Sequence, residues 1–138
     1  MCIILLAENK HISKEILEKA ELYNSDGSGI AWIDQKTNKV NWIKGLNVKA
    51  KTILKIVKKH KIQLPYIVHF RITSIGDTCD QLCHPFDLNA KLDQNDLIGS
   101  SDQGVLFHNG TSRNYEDHLK ICFTLLHEKL PLGKMSDS

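Results

Sequence analysis

The longest apolar stretch of this chain, Ile3 to Ala7, lies directly behind Met1-Cys2 at the very start. It is far too short to span a bilayer and has no basic region before it, so residues 2–7 read as a buried strand, not an anchor or a secretion signal. A strand there fixes Cys2 at one end of a sheet. Methionine is normally trimmed when the next side chain is small, which would leave Cys2 with both a thiol and a free α-amine. A thiol is a strong nucleophile only as thiolate, with a reference pKa of about 8.5, while an α-amine sits at about 7.7–8.0. The amine is therefore suited to act as general base for the thiol near neutral pH. Position alone does not separate this from a cysteine that is merely buried.

The 138 residues suffice for one domain with a real core, taken as 1–138, and 41% hydrophobic with 25% charged residues is ordinary for a soluble globular chain. A net charge of +2 gives no global electrostatic reason to expect nucleic acid or a membrane as partner. Cys2, Cys79, Cys83 and Cys122 read as free thiols of a cytoplasmic protein.

Periodicity and turn chemistry predict the order β-α-β-β-α-β-β-α, an α+β class. Ser13 is a candidate N-cap for a helix over 14–23, with Ile16, Leu17, Ala20 and Tyr23 inward. Strands over 30–33 and 40–43 form a hairpin behind the glycine-containing turn 24–29. A second helix is expected from an Asn47 cap to Lys61, with Ile53, Leu54, Ile56 and Val57 inward. Seven lysines and no acids fall between Lys44 and Lys61; without interleaved aromatics they read as a solvated face rather than a nucleic-acid surface. A strand follows over 65–71, then a mostly irregular stretch over 73–103, then a strand over 104–108. Asn114 is expected to cap a last helix over 115–128, with Leu119, Cys122, Phe123 and Leu126 at helical spacing.

Three constellations carry possible chemistry besides Cys2. His69-Phe70-Arg71-Ile72-Thr73-Ser74-Ile75-Gly76 puts an arginine just past a buried strand, a planar fork for a carboxylate or half of a structural salt bridge. His108-Asn109-Gly110 offers a side-chain amide beside a glycine N–H, a two-donor cradle for an oxyanion or a plain Asn-Gly turn. Cys79, Cys83 and His84 invite a zinc reading, but the spacing is not that of a ribbon or finger, and neither a metal nor a cofactor is expected.

Taken in order, these pieces resemble the class II glutamine amidotransferase family of N-terminal nucleophile hydrolases. The resemblance rests on Met1-Cys2-Ile3-Ile4, on the Asp- and Gly-containing turn before Gly29-Ile30-Ala31, and on His69, Arg71, Ser74 and Gly76 of a His-x-Arg motif. His84-Pro85, His108-Asn109-Gly110 and Ser136-Asp137-Ser138 complete it. Each motif is weak alone; six in the right order span the chain. Two departures are Tyr23-Asn24, where larger members carry Arg-Gly, and Ile72, where a tryptophan is frequent.

The resemblance implies a mostly antiparallel α/β/β/α sandwich and a glutaminase that releases ammonia and glutamate through a thioester. Cys2 would be the nucleophile, with Asn109 and Gly110 as the oxyanion cradle. Arg71 and Ser74 would bind the α-carboxylate of L-glutamine and Asp137 its α-ammonium. His69, Gly76, His84 and His108 would support the site. The family domain is usually longer than this chain, so the sandwich is expected to be incomplete at its C-terminal end. Exposed edges and apolar faces would then call for an acceptor subunit or self-association. Hydrolysis of another γ-glutamyl amide, or an inactive module that binds a partner, are the alternatives.

Overall fold

The computed structural model describes residues 1–74, 77–89 and 95–110. Ser13 is extended (φ −68°, ψ 155°), and its hydroxyl oxygen accepts from Ile16 N–H at 3.3 Å, so helix α1 starts at the next residue and runs Lys14–Tyr23. It buries a narrower stripe than expected: Leu17 and Ala20 are buried, while Ile16 and Tyr23, on the flanks of that stripe, are 48% and 64% exposed.

The second helix, α2, is Ala50–Lys59, and Asn47 does not cap it. Asn47 lies exposed in the preceding turn and Lys49 holds the cap position without a side-chain bond. The orphan N–H of Ala50 is instead met by the Glu21 carboxylate, from α1, at 2.8 Å. This cap is tertiary, and no local motif announces it. Ile53 and Ile56 are buried and Leu54 and Val57 partly so, as expected. Lys51, Lys55, Lys58 and Lys59 are solvated.

Strand β1 is Ile3–Ala7, β2 Ser28–Asp34, β3 Lys39–Gly45 and β4 Tyr66–Phe70. Within the stretch expected to be irregular lie a 3₁₀ turn at Asp80–Leu82, β5 Phe86–Asp87 and β6 Ile98–Ser101. The strand expected over 104–108 is only β7, Val105–Leu106. Five strands form one sheet in the order β1-β4-β2-β3-β6, every pair antiparallel, and β5 and β7 form a second, two-stranded sheet. The fold is therefore α+β with antiparallel sheets. β6 exists because Trp42 creates its dock: the indole N–H donates to Asp96 O at 3.0 Å, and Gly99 faces the ring, where a Cβ would collide with it.

Side chains alternate across the sheet. Ile30, Trp32, Tyr66, Val68 and Phe70 face one way and close a core with Leu17, Ala20, Ala50, Ile53 and Ile56 of the helices. Gly29, Lys44 and His69 face the other way, towards the segment His84–Phe86 and the two-stranded sheet. The described layers are thus helices, large sheet, small sheet. The second face stays partly open, with Leu6 60% and Ile33 38% exposed along a cleft of about 300 Å³. No helix among the described residues is long and apolar enough to cross a membrane. The helix expected over 115–128, its Asn114 cap, and Gly76, Cys122 and Ser136-Asp137-Ser138 lie outside the described residues.

Candidate active site

Antiparallel pairing of β1 with β4 sets Ile3 opposite Phe70. One residue further out, Cys2 meets the chain leaving β4: its thiol donates to Ile72 O at 3.7 Å, and the residue is half-buried. Ahead of it, Met1 is 90% exposed, but its carbonyl accepts from Asn24 Nδ2 at 2.8 Å. Asn24 is only 4% exposed and closes α1 by donating its N–H to Ala20 O.

The glycine-containing turn packs against the same strand end. Asp26 N–H donates to Arg71 O at 3.0 Å and Arg71 N–H to Gly27 O at 2.8 Å. These bonds prolong the β2–β4 ladder beyond Ser28 and Phe70. The Asp26 carboxylate then accepts from Thr73 N–H at 2.8 Å. Gly27 has φ +112°, and a Cβ there would meet Cys83 Sγ, so this position needs glycine. Arg71 is 4% exposed, its guanidinium donating to Asp77 O at 3.0 Å.

The large sheet therefore brings Cys2, Asn24, Asp26 and Arg71 to one end of β4. Ser74 is exposed, two residues past Ile72. Asn109 and Gly110 are also exposed, and no hydrogen bond among the described residues ties them to Cys2. What draws their segment towards β4 is Phe107, whose ring lies 6.3 Å from that of His69 and 6.4 Å from that of His84.

His69 and His84 form a buried pair with ring centroids 4.2 Å apart. None of their four ring nitrogens has a hydrogen-bond partner among the described residues. Burial disfavours the charged ring and pulls His69 down to about 4 despite the nearby His108 backbone. His84 is lower still, through burial and then the neighbouring His69 and Lys44. The two rings pack as neutral aromatic plates under Phe86 and Phe107. His108 is half-buried and neighbours both.

Lys44 does not belong to the solvated lysine face. It stands in β3, 2% exposed, donating to Pro85 O at 2.8 Å, to Gln81 O at 3.0 Å and to Asn95 Oδ1. Its Nζ sits 4.6 Å above the Phe86 ring. Burial draws its pKa down to about 8. Alternation along the hairpin, which sets Lys44 opposite Gly29, could have flagged it.

Cys79, Cys83 and His84 do not converge. The Cys83 thiol is turned to Cys79 O and Asp26 O, and burial pushes it up to about 11, while the His84 ring stacks on His69. Among the described residues no three His, Cys, Asp or Glu side chains are grouped to hold a metal ion. Compared with protein-family models, with curated protein sequences and with solved structures, the chain shows no match.

Proposed function

We propose that this chain is a cysteine-dependent glutaminase domain of the class II amidotransferase type, built on an N-terminal nucleophile hydrolase sandwich. The observation that carries this reading is the junction at the end of β4, where Cys2 Sγ lies 3.7 Å from Ile72 O, next to the buried Arg71. The order helices, large sheet, small sheet is in keeping with three layers of that sandwich.

Removal of Met1 frees the Cys2 α-amine. The thiol proton passes to that amine, and the thiolate attacks the side-chain amide carbon of glutamine. The C=O pair moves onto oxygen, where Asn109 Nδ2–H and Gly110 N–H donate to the oxyanion. The ammonium of Cys2 protonates the departing nitrogen, ammonia leaves, and a thioester remains. Water, deprotonated by the same amine, adds to the thioester, and glutamate and the free thiol are released. Arg71 binds the α-carboxylate, with Ser74 beside it, and Asp137 takes the α-ammonium. Hydrogen bonds in such sites often tighten only when substrate binds, which is the role left to the exposed Asn109-Gly110 corner.

Incubation with 6-diazo-5-oxo-norleucine, followed by mass mapping, tests nucleophile and pocket together. The expected result is one adduct on Cys2 of a chain lacking Met1. Ammonia release from glutamine is expected to vanish in Cys2→Ala and to fall about 10²–10³-fold in Asn109→Ala. A processed chain that takes no label and releases no ammonia overturns the proposal.

A further inference from the structure

Asn24 carries a consequence for the processed chain. Its amide is buried and donates to a carbonyl that belongs to Met1, a residue whose side chain is almost wholly in solvent. Trimming Met1 therefore takes nothing from the core but removes the acceptor that Asn24 holds. What replaces that carbonyl is the α-amine of Cys2, freed at the other end of the same C–N bond. A buried amide left unpaired is destabilising, so it pairs again where a partner exists. A half-turn of its terminal torsion presents the carbonyl oxygen instead of the NH₂ group, and an α-amine is a donor in either protonation state.

We infer that in the processed chain Asn24 Oδ1 accepts an N–H of the Cys2 α-amine and aims the amine lone pair at the Cys2 thiol. This rests on the reading of Cys2 as an N-terminal nucleophile and names the residue that positions its base. Ile72 O marks where the thiol sits while Met1 is present; once Asn24 holds the freed amine, the one S–H turns from Ile72 O to the amine lone pair. Asn24 is itself fixed at the C-terminal end of α1, two residues before the Asp26 clasp on Arg71. It exchanges no proton and is a positioning residue.

The test measures the rate of Cys2 labelling by 6-diazo-5-oxo-norleucine against pH for processed wild type, Asn24→Ala and Asn24→Asp. Asn24→Ala is expected to label at least about tenfold more slowly near neutral pH. In Asn24→Asp a carboxylate beside the amine favours its ammonium form, so the acid limb of the profile moves up by about one pH unit or more. A wild type that takes no label overturns the glutaminase reading itself. A labelled wild type with an unmoved limb in Asn24→Asp, or undiminished labelling in Asn24→Ala, overturns the role of Asn24 alone. If both variants fail to fold, the side-chain NH₂ resonances of Asn24 in processed, ¹⁵N-asparagine-labelled wild type decide. They must titrate with the midpoint of the Cys2 α-amine, and resonances that stay still overturn the inference.

Discussion

Acid should weaken this fold well before its carboxylates are protonated, because of the His69–His84 pair. Both rings are buried, at 0% and 2% exposure, without hydrogen-bond partners for their nitrogens among the described residues. In the unfolded chain each titrates near the ordinary value of 6.5, whereas His69 falls to about 4 in the folded chain and His84 lower still. Below pH 6.5 the unfolded state therefore binds more protons than the native state. Stability is fully present above the unfolded value and is lost as pH falls from 6.5 towards 4. Over the two units from pH 6.5 to about 4.5, each histidine removes about 2–3 kcal/mol and the pair roughly 5 kcal/mol. That is a large share of the ~5–15 kcal/mol typical of a domain. Other shifted groups act elsewhere. Asp34, held low by the Lys36 and Thr37 N–H groups, matters only below its ordinary 3.8. Lys44, lowered to about 8, matters between there and 10.5. Urea unfolding followed by Trp32 and Trp42 fluorescence gives the free energy at each pH. His84→Leu, which removes one of the two rings, should lose about half of the slope. A native-state NMR titration in which both histidines protonate near 6.5, or a change below about 1 kcal/mol over that range, would refute the reasoning.

Two further substitutions probe how the layers are held. Gly29→Ala puts a Cβ against the His84 carbonyl oxygen, which is main chain and cannot swing aside, so the small sheet must lift from the large one. A loss of about 1–3 kcal/mol in urea unfolding is expected, and an unchanged midpoint would show that the approach is looser than described. Glu21→Ala removes the carboxylate that caps Ala50 and should cost about 1 kcal/mol with a small loss of helical circular dichroism. Equal stability to wild type would mean that water serves that N–H as well.

What was legible in the sequence is what local chemistry decides. Ser13 announced α1 because a hydroxyl four residues ahead of an apolar stripe satisfies a helix end without help from elsewhere. The hairpin of β2 and β3 was legible because Asp34 and Asn38 shape its turn on their own, through carboxylate bonds to Lys36 and Thr37 N–H and a left-handed φ of 55°. The misses are positions decided by distant partners. Asn47 looked like a cap, yet Glu21 does that work from α1. Lys44 looked like one of a run, yet three acceptors from residues 81–95 enclose it. Ile98-Gly99-Ser100-Ser101 has little strand character, and only the exposed edge of β3 and the Trp42 ring make it a strand. At the candidate site, Cys2 and Arg71 were legible as residue types. The turn from Asn24 to Gly27 was legible as a turn, but not as the clamp that holds both.

β4 joins these parts, and its register carries the argument for the site. Val68 and Phe70 enter the helical core, while His69 between them enters the stack with His84 and Phe107. A slip of one residue against β1 and β2 would send a histidine into the apolar core and Phe70 towards Lys44, reversing every contact of the strand. Both faces therefore penalise the slip, more steeply than one buried face could. The same register sets Ile3 against Phe70 and so delivers Cys2 to Ile72 and Arg71. The buried histidine pair, which costs stability in acid, thus helps to fix where the thiol lies.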